Sequence, residues 1–280
     1  MAIATQPLTP FGVEVDRDLS RMTLPEDNAA IRALFDSEKL LRFRGQNLSD
    51  QDQIRVMSWL GAVLPPEREH RELSLDGAFG SGRIGFHSDL LFTVAPYERN
   101  SLYGLEVEDD QTSTYFVSCS RAAAALPAAL RARVEGLDAL HSVPLVQAQR
   151  EIAYDPPAGV TRTRAPVIRR HPRTGEALLQ VSEIQTARIE GLNEQESESL
   201  LRELFEYLYA PENIFEHVWR GGDLLVWDNL ALQHCRNDQS ARKVRRLRRV
   251  IGAEQSFFEL CPEFPRADMI TYPADTAAAG

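Results

Sequence analysis

Apolar positions along the chain follow two rhythms. In EDNAAIRALFDSEKLL, Ile31, Leu34 and Phe35 recur at helical spacing, and in LSDQDQIRVMSWLG the residues Ile54, Met57 and Leu60 do the same behind a cap at Ser49 or Asp50. A third stripe, Leu200, Leu204 and Leu208, runs through NEQESESLLRELFEYLYA. Between these helices lie short extended runs: LTPFGVEV after a proline turn, LLRFRG ended by Gly45, NSLYGLEVED, TSTYFVSCS, FEHVWR, GDLLVWDN and VRRLRRVIG, with a hairpin at HPRTGEALL. A further helix is expected from about Arg121 to Leu140, with Pro127 near its start or at a kink. Residues 62–86 mix proline, charge and four glycines, which is the composition of a loop that meets a site. Many short strands with helices pushed to one side predict a mainly β fold with flanking helices, a barrel or sandwich, in one domain over residues 1–280. The Pro- and Ala-rich end, from about residue 262, reads as a loosely packed tail.

Composition narrows the class. With 280 residues, 43% of them hydrophobic and 26% charged, the chain buries a sizeable core, and no run approaches the roughly 18 apolar residues of a membrane span. The start, MAIATQPLTPFGVEV, lacks a basic segment followed by an apolar one, so a cytoplasmic protein is expected. A net charge of -10 argues against nucleic acid or a membrane surface as partner, because both are polyanions. Cys119, Cys235 and Cys261 are far apart and form no CxxC, which fits reduced thiols.

Chemistry enters with FHSDLLF, residues 86–92. On an extended strand His87 and Asp89 point to one face and can grip one ion, and two histidines with one carboxylate form the facial triad of non-haem iron oxygenases. An HxD pair alone is common. GDLLVWDNLALQHCRND supplies a distant histidine, His234, whose ordinary reading is a satisfied buried side chain. The run RKVRRLRRVIG adds weight: in a strand, Arg245, Leu247, Arg249 and Ile251 share a face, and a wall alternating guanidinium with aliphatic bulk suits a carboxylate ligand. Arg246 and Arg248 fit a solvated edge. Phe86, Leu90 and Phe92 are expected to wall the metal grip, Trp227 to lie in the core, and Cys235 to point away as a neutral thiol. His70 is either part of a lid or solvated, and His141, His171 and His217 are structural or exposed.

Together LLRFRGQNLSDQDQ, FHSDLLF, RHPRTGEALLQVS, ARIEGL, LLVWDNLALQH and the final arginines resemble the TauD/TfdA (taurine dioxygenase-like) family of Fe(II)- and 2-oxoglutarate-dependent dioxygenases, from about Leu8 to Ala253. The resemblance implies a double-stranded β-helix, or jelly roll. It implies Fe(II) on His87, Asp89 and His234, with O2 and 2-oxoglutarate as cosubstrates. Arg245, eleven positions after His234, would hold the far carboxylate of 2-oxoglutarate, and Arg249 would face the substrate's anionic group or the cosubstrate. A threonine 25 residues after Asp89 would assist, which is Thr114; here the chain has QTST where the family usually has Gly-Gly-Asp-Thr, so Thr112 is an alternative. The implied activity is hydroxylation of a small carboxylate- or sulfonate-bearing organic molecule with release of succinate and CO2, leading to C–O or C–S cleavage where a heteroatom leaves. A homo-oligomer, dimer or tetramer, is implied as well. A jelly-roll sensor of 2-oxoglutarate or another ligand, without oxygenase activity, stays open from the residues alone.

Overall fold

In the computed structural model, residues 3–22, 24–66, 72–77 and 80–263 are described. The chain begins with β1 (Thr5–Pro7) and β2 (Val13–Val15), then helix α1 (Pro25–Glu38), β3 (Leu40–Phe43), helix α2 (Asp50–Leu60), β4 (Glu72–Leu73), β5 (Ile84–His87), β6 (Arg99–Val107) and β7 (Ser113–Ser118). It continues through α3 (Cys119–Ala125), α4 (Ala128–Val134), β8 (Asp138–Ser142), β9 (Arg162–Pro166), β10 (Ile168–Arg170), β11 (Ala177–Leu179) and β12 (Thr186–Ile189). Helix α5 (Glu194–Leu208), β13 (Ile214–Val218), β14 (Leu224–Asp228), β15 (Leu232–Arg236), β16 (Arg245–Gly252) and α6 (Phe257–Leu260) complete it. His70 and the tail beyond residue 263 lie outside the described residues. Among the described residues no helix is long and apolar enough to cross a membrane.

Seven strands form one sheet in the order β1-β2-β3-β14-β6-β16-β4, and four form a second in the order β13-β7-β15-β5. Their inner faces meet: Leu40, Leu102, Leu225, Trp227 and Leu247 of the first pack on Phe116, Phe215 and Leu232 of the second. The alternation of strand side chains then dictates what lies outside. Leu224 and Val226 turn away from the interior onto Ile31 and Phe35 of α1 and Val56 and Met57 of α2, so β14 is buried on both faces and reads as a continuous apolar run. On the far side Val117 meets the α3, α4 and α5 cluster around Leu130, Leu200 and Leu204. The result is the expected jelly roll with flanking helices. Truncating a residue such as Leu225 at its centre would cost about 2–5 kcal/mol.

Local signals explain the helices. Ser49 Oγ accepts from the Asp52 amide at 3.2 Å while the Asp52 carboxylate accepts from the Ser49 amide, a reciprocal cap for α2, and Asn193 with Glu196 does the same for α5. The helix expected over 121–140 is broken. Pro127 separates α3 from α4, Gly136 at φ +81° turns the chain, and Ala139 and Leu140 are buried in β8. The loop expected over 62–86 is also shorter than its composition suggests, since β4 and β5 fall within it. The strand β15 was not foreseen; its run LQHCR has no alternation because its environment is buried on both sides.

In β6, Glu106 pairs with Arg246 and Gly104 with Leu247, so Leu105 is an extra residue, a bulge. Leu102 packs inward, Tyr103 outward, and Val107, of opposite parity to Leu102, packs inward again.

Candidate active site

Strands β5 and β15 pair antiparallel with His87 directly opposite His234, and the two rings lie 4.2 Å apart. Asp89 is not on the strand that carries His87, as the i, i+2 spacing predicted; β5 ends at His87 and Asp89 sits in the turn that follows. That turn is built by side chains. The Asp89 amide donates to Asn229 Oδ1 at 2.9 Å, Asn229 Nδ2 donates to the carbonyls of Asp89 (3.0 Å) and Tyr97 (2.8 Å), and Ser88 Oγ donates to the Leu232 carbonyl. Asp89 Oδ1 thereby comes to 3.2 Å from His87 Nε2 and 3.8 Å from His234 Nε2. Among the described residues these three are the one group of His, Cys, Asp or Glu whose potential ligand atoms converge, all within 4.8 Å.

The second atoms of the donors decide which atoms face inward. His87 Nδ1 lies 2.9 Å from the Gly85 carbonyl, a contact only a protonated Nδ1 makes, so Nε2 is the ring nitrogen that faces Asp89, donating to it when protonated and offering its lone pair to a metal when not. Gly85 is required there, because a Cβ would stand 2.9 Å from Ile184 Cγ2. Asp89 Oδ2 accepts from Asn100 Nδ2 at 3.0 Å and has Arg249 Nη1 at 3.9 Å. Burial raises the Asp89 pKa, but the His87 hydrogen bond and the charges of His234, His87 and Arg249 outweigh it and hold the group well below the usual carboxylate range. Burial pushes His234 down to about 3, with His87 and Arg249 adding to the shift against the pull of Asp89. A carboxylate and a neutral imidazole at neutral pH are the states in which these groups bind a divalent cation.

The same cavity, of about 80 Å³, is lined by Leu73, Ile84, Leu102, Thr114, Trp227, Cys235, Arg236, Arg245 and Arg249 as well as the triad. Thr114, on β7, accepts from Trp219 Nε1 at 2.9 Å, which leaves its own hydroxyl proton for an acceptor in the cavity. Thr112 does not line the cavity; its carbonyl accepts from the Trp219 amide, and its buried hydroxyl has no partner among the described residues. Arg245 and Arg249 reach the cavity from β16. Arg245 is 4% exposed, its Nε has no partner among the described residues, and burial together with the charge of Arg236 pushes its pKa down to about 9. The outer face of β16 behaves differently: Arg246 pairs with Glu72 and Glu106, whereas Arg248, expected in solvent, stacks over Tyr103 at 4.8 Å and donates to Gln53 and the Leu48 carbonyl.

The apolar neighbours of the HxD pair do not wall the site. Phe86 stacks on Tyr209 at 5.0 Å outside the barrel, and Leu90 and Phe92 pack with Leu64 and Tyr97. Trp227 is in the core as expected and also forms the wall, its ring 5.0 Å from that of His234. Cys235, expected to point away, is instead among the residues that line the cavity; burial pushes its thiol up to about 12, so it is neutral as expected. His141, His171 and His217 are buried away from the cavity beside Thr186, Asp228 and Asp223 respectively. Three residues of the site carried no signal singled out in the sequence: Asn100, Asn229 and Arg236. Asn229 lay in the WDN turn, where a side chain that bonds backbone on both sides is the ordinary use of asparagine.

Residues 4–251 match the model of the Taurine catabolism dioxygenase TauD, TfdA family. The chain is 30% identical over 256 residues to the alpha-ketoglutarate-dependent sulfate ester dioxygenase of Pseudomonas putida, an alignment covering 85% of this chain and 83% of that protein. It is also 30% identical over 289 residues to the alpha-ketoglutarate-dependent 2,4-dichlorophenoxyacetate dioxygenase of Cupriavidus pinatubonensis, covering 89% and 97%. A crystal structure of a taurine dioxygenase from Burkholderia xenovorans superposes with a TM-score of 0.78 at 27% identity, over 91% of this chain and 92% of that one. The jelly roll, the convergent His-Asp-His cluster and these matches together establish that the chain belongs to the TauD/TfdA family of 2-oxoglutarate-dependent dioxygenases.

Proposed function

We propose that His87, Asp89 and His234 bind Fe(II), that Arg245 and Thr114 hold the far carboxylate of 2-oxoglutarate, and that the enzyme hydroxylates a small organic anion such as a sulfate ester, sulfonate or aryloxy carboxylate. The observation that carries this reading is the convergence of Nε2 of both histidines and one Asp89 oxygen at a cavity that also holds buried guanidinium groups. The donor set, two imidazoles and one carboxylate, fits a non-haem Fe(II) site that leaves positions for ligands. When bound, the iron and 2-oxoglutarate supply the oxygen activation and release succinate and CO2. The protein's share is positioning. Gly85 fixes the His87 tautomer, Asn229 and Asn100 hold the Asp89 carboxylate in place, and Thr114 donates its proton to the cosubstrate carboxylate. Trp227, Leu102 and Ile84 exclude water, which strengthens every charge interaction in the cavity. Arg249, beside Asp89, receives the anionic group of substrate. Where the hydroxylated carbon carries oxygen or sulfur, the product collapses with C–O or C–S cleavage. We read residues 3–263 as one catalytic domain acting on small molecules.

Anaerobic addition of Fe(II) and then 2-oxoglutarate should generate the visible charge-transfer absorption of the chelate, and His87→Ala should abolish it; an unchanged band would overturn the ligand assignment. On admission of O2, succinate release should be accelerated by members of a panel of sulfate esters, sulfonates and aryloxy carboxylates. If none accelerates it, the substrate class is wrong.

A further inference from the structure

The hairpin of β10 and β11 sends no side chain into the cavity, yet its loop reaches the turn on which the geometry of Asp89 depends. His171 follows β10 directly and the hairpin closes around it: its amide donates to the Glu176 carbonyl at 2.8 Å, and its carbonyl accepts from the Gly175 amide at 2.9 Å. The ring is buried and its tautomer is set. Nδ1 accepts from the amides of Arg173 and Thr174, each at 3.2 Å, so Nε2 is the nitrogen that donates, to Asp228 Oδ2 at 2.9 Å. Arg173 donates to the same oxygen, donates to Asp36 of α1 at 3.0 Å, and lies 3.7 Å from Glu98. The other oxygen, Asp228 Oδ1, accepts from the amides of Leu230 and Ala231 at 3.0 and 3.2 Å. One fully buried carboxylate thus ties the hairpin to the turn between β14 and β15.

That turn carries Asn229 and leads into the strand of His234. The Asn229 amide donates to the Glu98 carbonyl at 3.0 Å, and its side chain grips the amide and carbonyl of Asp89. Arg173 therefore holds a carboxylate on each of the two segments that meet at the Asn229 amide, Asp228 on one and Glu98 on the other. Its bond to Asp36 serves the packing of α1; the bonds to Asp228 fix where the Asn229 side chain starts. Hydrogen bonds weaken steeply with misalignment, so a tilt of this turn loosens the grip on Asp89 before it unpacks either strand.

We propose that His171 and Arg173 are positioning residues for the metal site: by clamping the Asp228 carboxylate they hold the 228–231 turn in the one orientation from which Asn229 aims Asp89. The inference rests on the reading of His87, Asp89 and His234 as metal ligands. Neither hairpin residue touches the metal, the cosubstrate or the substrate. Their effect passes through Asn229, and that route is what distinguishes them from residues that support the fold alone.

The test measures metal binding, not turnover. Mn(II) affinity of the full chain is followed by the electron paramagnetic resonance of the free ion, with urea titrations of the metal-free protein alongside. His171→Leu should weaken Mn(II) about tenfold, and His171→Gln, whose amide can donate to Asp228 in place of Nε2, should stay within about threefold of the unsubstituted protein. In an Asn229→Ala background, His171→Leu should add less than about threefold, because the route is already cut; independent sites would multiply. Leu200→Ala, in the helical cluster on the far side, lowers stability too and should leave Mn(II) affinity unchanged. Unaltered affinity in His171→Leu, a multiplied loss in the double variant, or a Gln variant as weak as the Leu one overturns the proposal. So does Leu200→Ala weakening Mn(II) as much as His171→Leu, since affinity would then follow stability alone. Should His171→Leu not fold, Arg173→Gln takes its place in the same cycle, with about 3- to 10-fold weakening expected and nothing added to Asn229→Ala. An unsubstituted protein that binds no Mn(II), or binds it equally in His87→Ala, would instead sink the ligand assignment, a distinguishable result.

Discussion

The two ends of the cavity are stabilised in opposite ways. At the metal end, Asp89 is held through its amide, its carbonyl and its Oδ2 by Asn229 and Asn100, and His87 is fixed by a backbone carbonyl, so this end is assembled before any ligand arrives. At the anion end, buried Arg245 feels the charge of Arg236 and its Nε has no partner among the described residues. The hydrogen bonds around Asp89 and His87 therefore contribute to the stability of the empty fold, and the buried Arg245 subtracts from it, a cost that the dianion of the proposed reading would offset. Preorganisation here means hydrogen bonds that hold Asp89 and His87 at one end, with His234 Nδ1 and Asn100 Oδ1 unpartnered among the described residues, and a buried guanidinium with an unpartnered Nε at the other.

That contrast can be broken by experiment. The largest effect should come from His234→Ala, which removes one of the three proposed ligands: succinate production should fall by at least about a thousandfold, and metal-dependent thermal stabilisation should vanish. Retained stabilisation by Mn(II) would mean the metal sits elsewhere. Next, Arg245→Met should weaken 2-oxoglutarate about 100-fold by calorimetry while leaving the melting temperature of the empty protein unchanged or higher, because an apolar side chain replaces a buried cation. A clear drop in that temperature would erase the proposed difference between the ends. Asn229→Ala should do the reverse, lowering the stability of the empty protein by about 2–4 kcal/mol in urea titrations through unpaired buried groups, and weakening Mn(II) about 10- to 100-fold.

Acid should act more gently, and at the metal end without touching the arginines. His234 at the metal end and His141 outside the site are both pushed down to about 3, chiefly by burial, from an ordinary 6.5. Between those values the unfolded chain binds protons that the folded chain refuses, so stability is full above about pH 6.5 and falls as pH drops toward 3, at about 1.4 kcal/mol per pH unit for each group. His141→Gln should remove one group's share of that slope in denaturant titrations at several pH values; an unaltered slope would assign it to other residues. Smallest of all, Thr114→Val keeps the shape and removes the hydroxyl, and should raise the apparent Kd for 2-oxoglutarate several-fold, within the roughly 1 kcal/mol of a typical hydrogen bond.

Legibility in the sequence followed the same division. Helices α1, α2 and α5 were readable because their stripes and caps are local, and β16 because guanidinium alternating with aliphatic residues has little use at a surface. Arg245 and Arg249 do face the cavity, and His87, Asp89 and His234 do converge. What could not be read depended on distant partners. The turn that carries Asp89 is made by Asn229, 140 positions away, and by Asn100 on another strand, neither of which has a periodic signature. Strand β15 was obscured because both of its faces are covered, and Arg236 because a charge two residues past a histidine looks like a surface residue until the opposing sheet is in place. The apolar flank of the HxD pair misled for a related reason: Phe86 and Phe92 serve neighbouring layers, so adjacency in the chain says little about which wall a side chain joins.

The bulge at Leu105 has a consequence for how this enzyme tolerates change. Because one extra residue resets which side of β6 faces inward, Leu102 and Val107 both pack inward although their parities differ. Because Gly104 already lies opposite Leu247 and Glu106 opposite Arg246, deleting Leu105 would remove the bulge while leaving Glu106 on Arg246 and Val107 facing inward by simple alternation. For β6, position 105 is therefore where the strand can lose a residue without changing partners, whereas a single-codon deletion among the paired residues 99–104 would slip the register against β14 and β16 together.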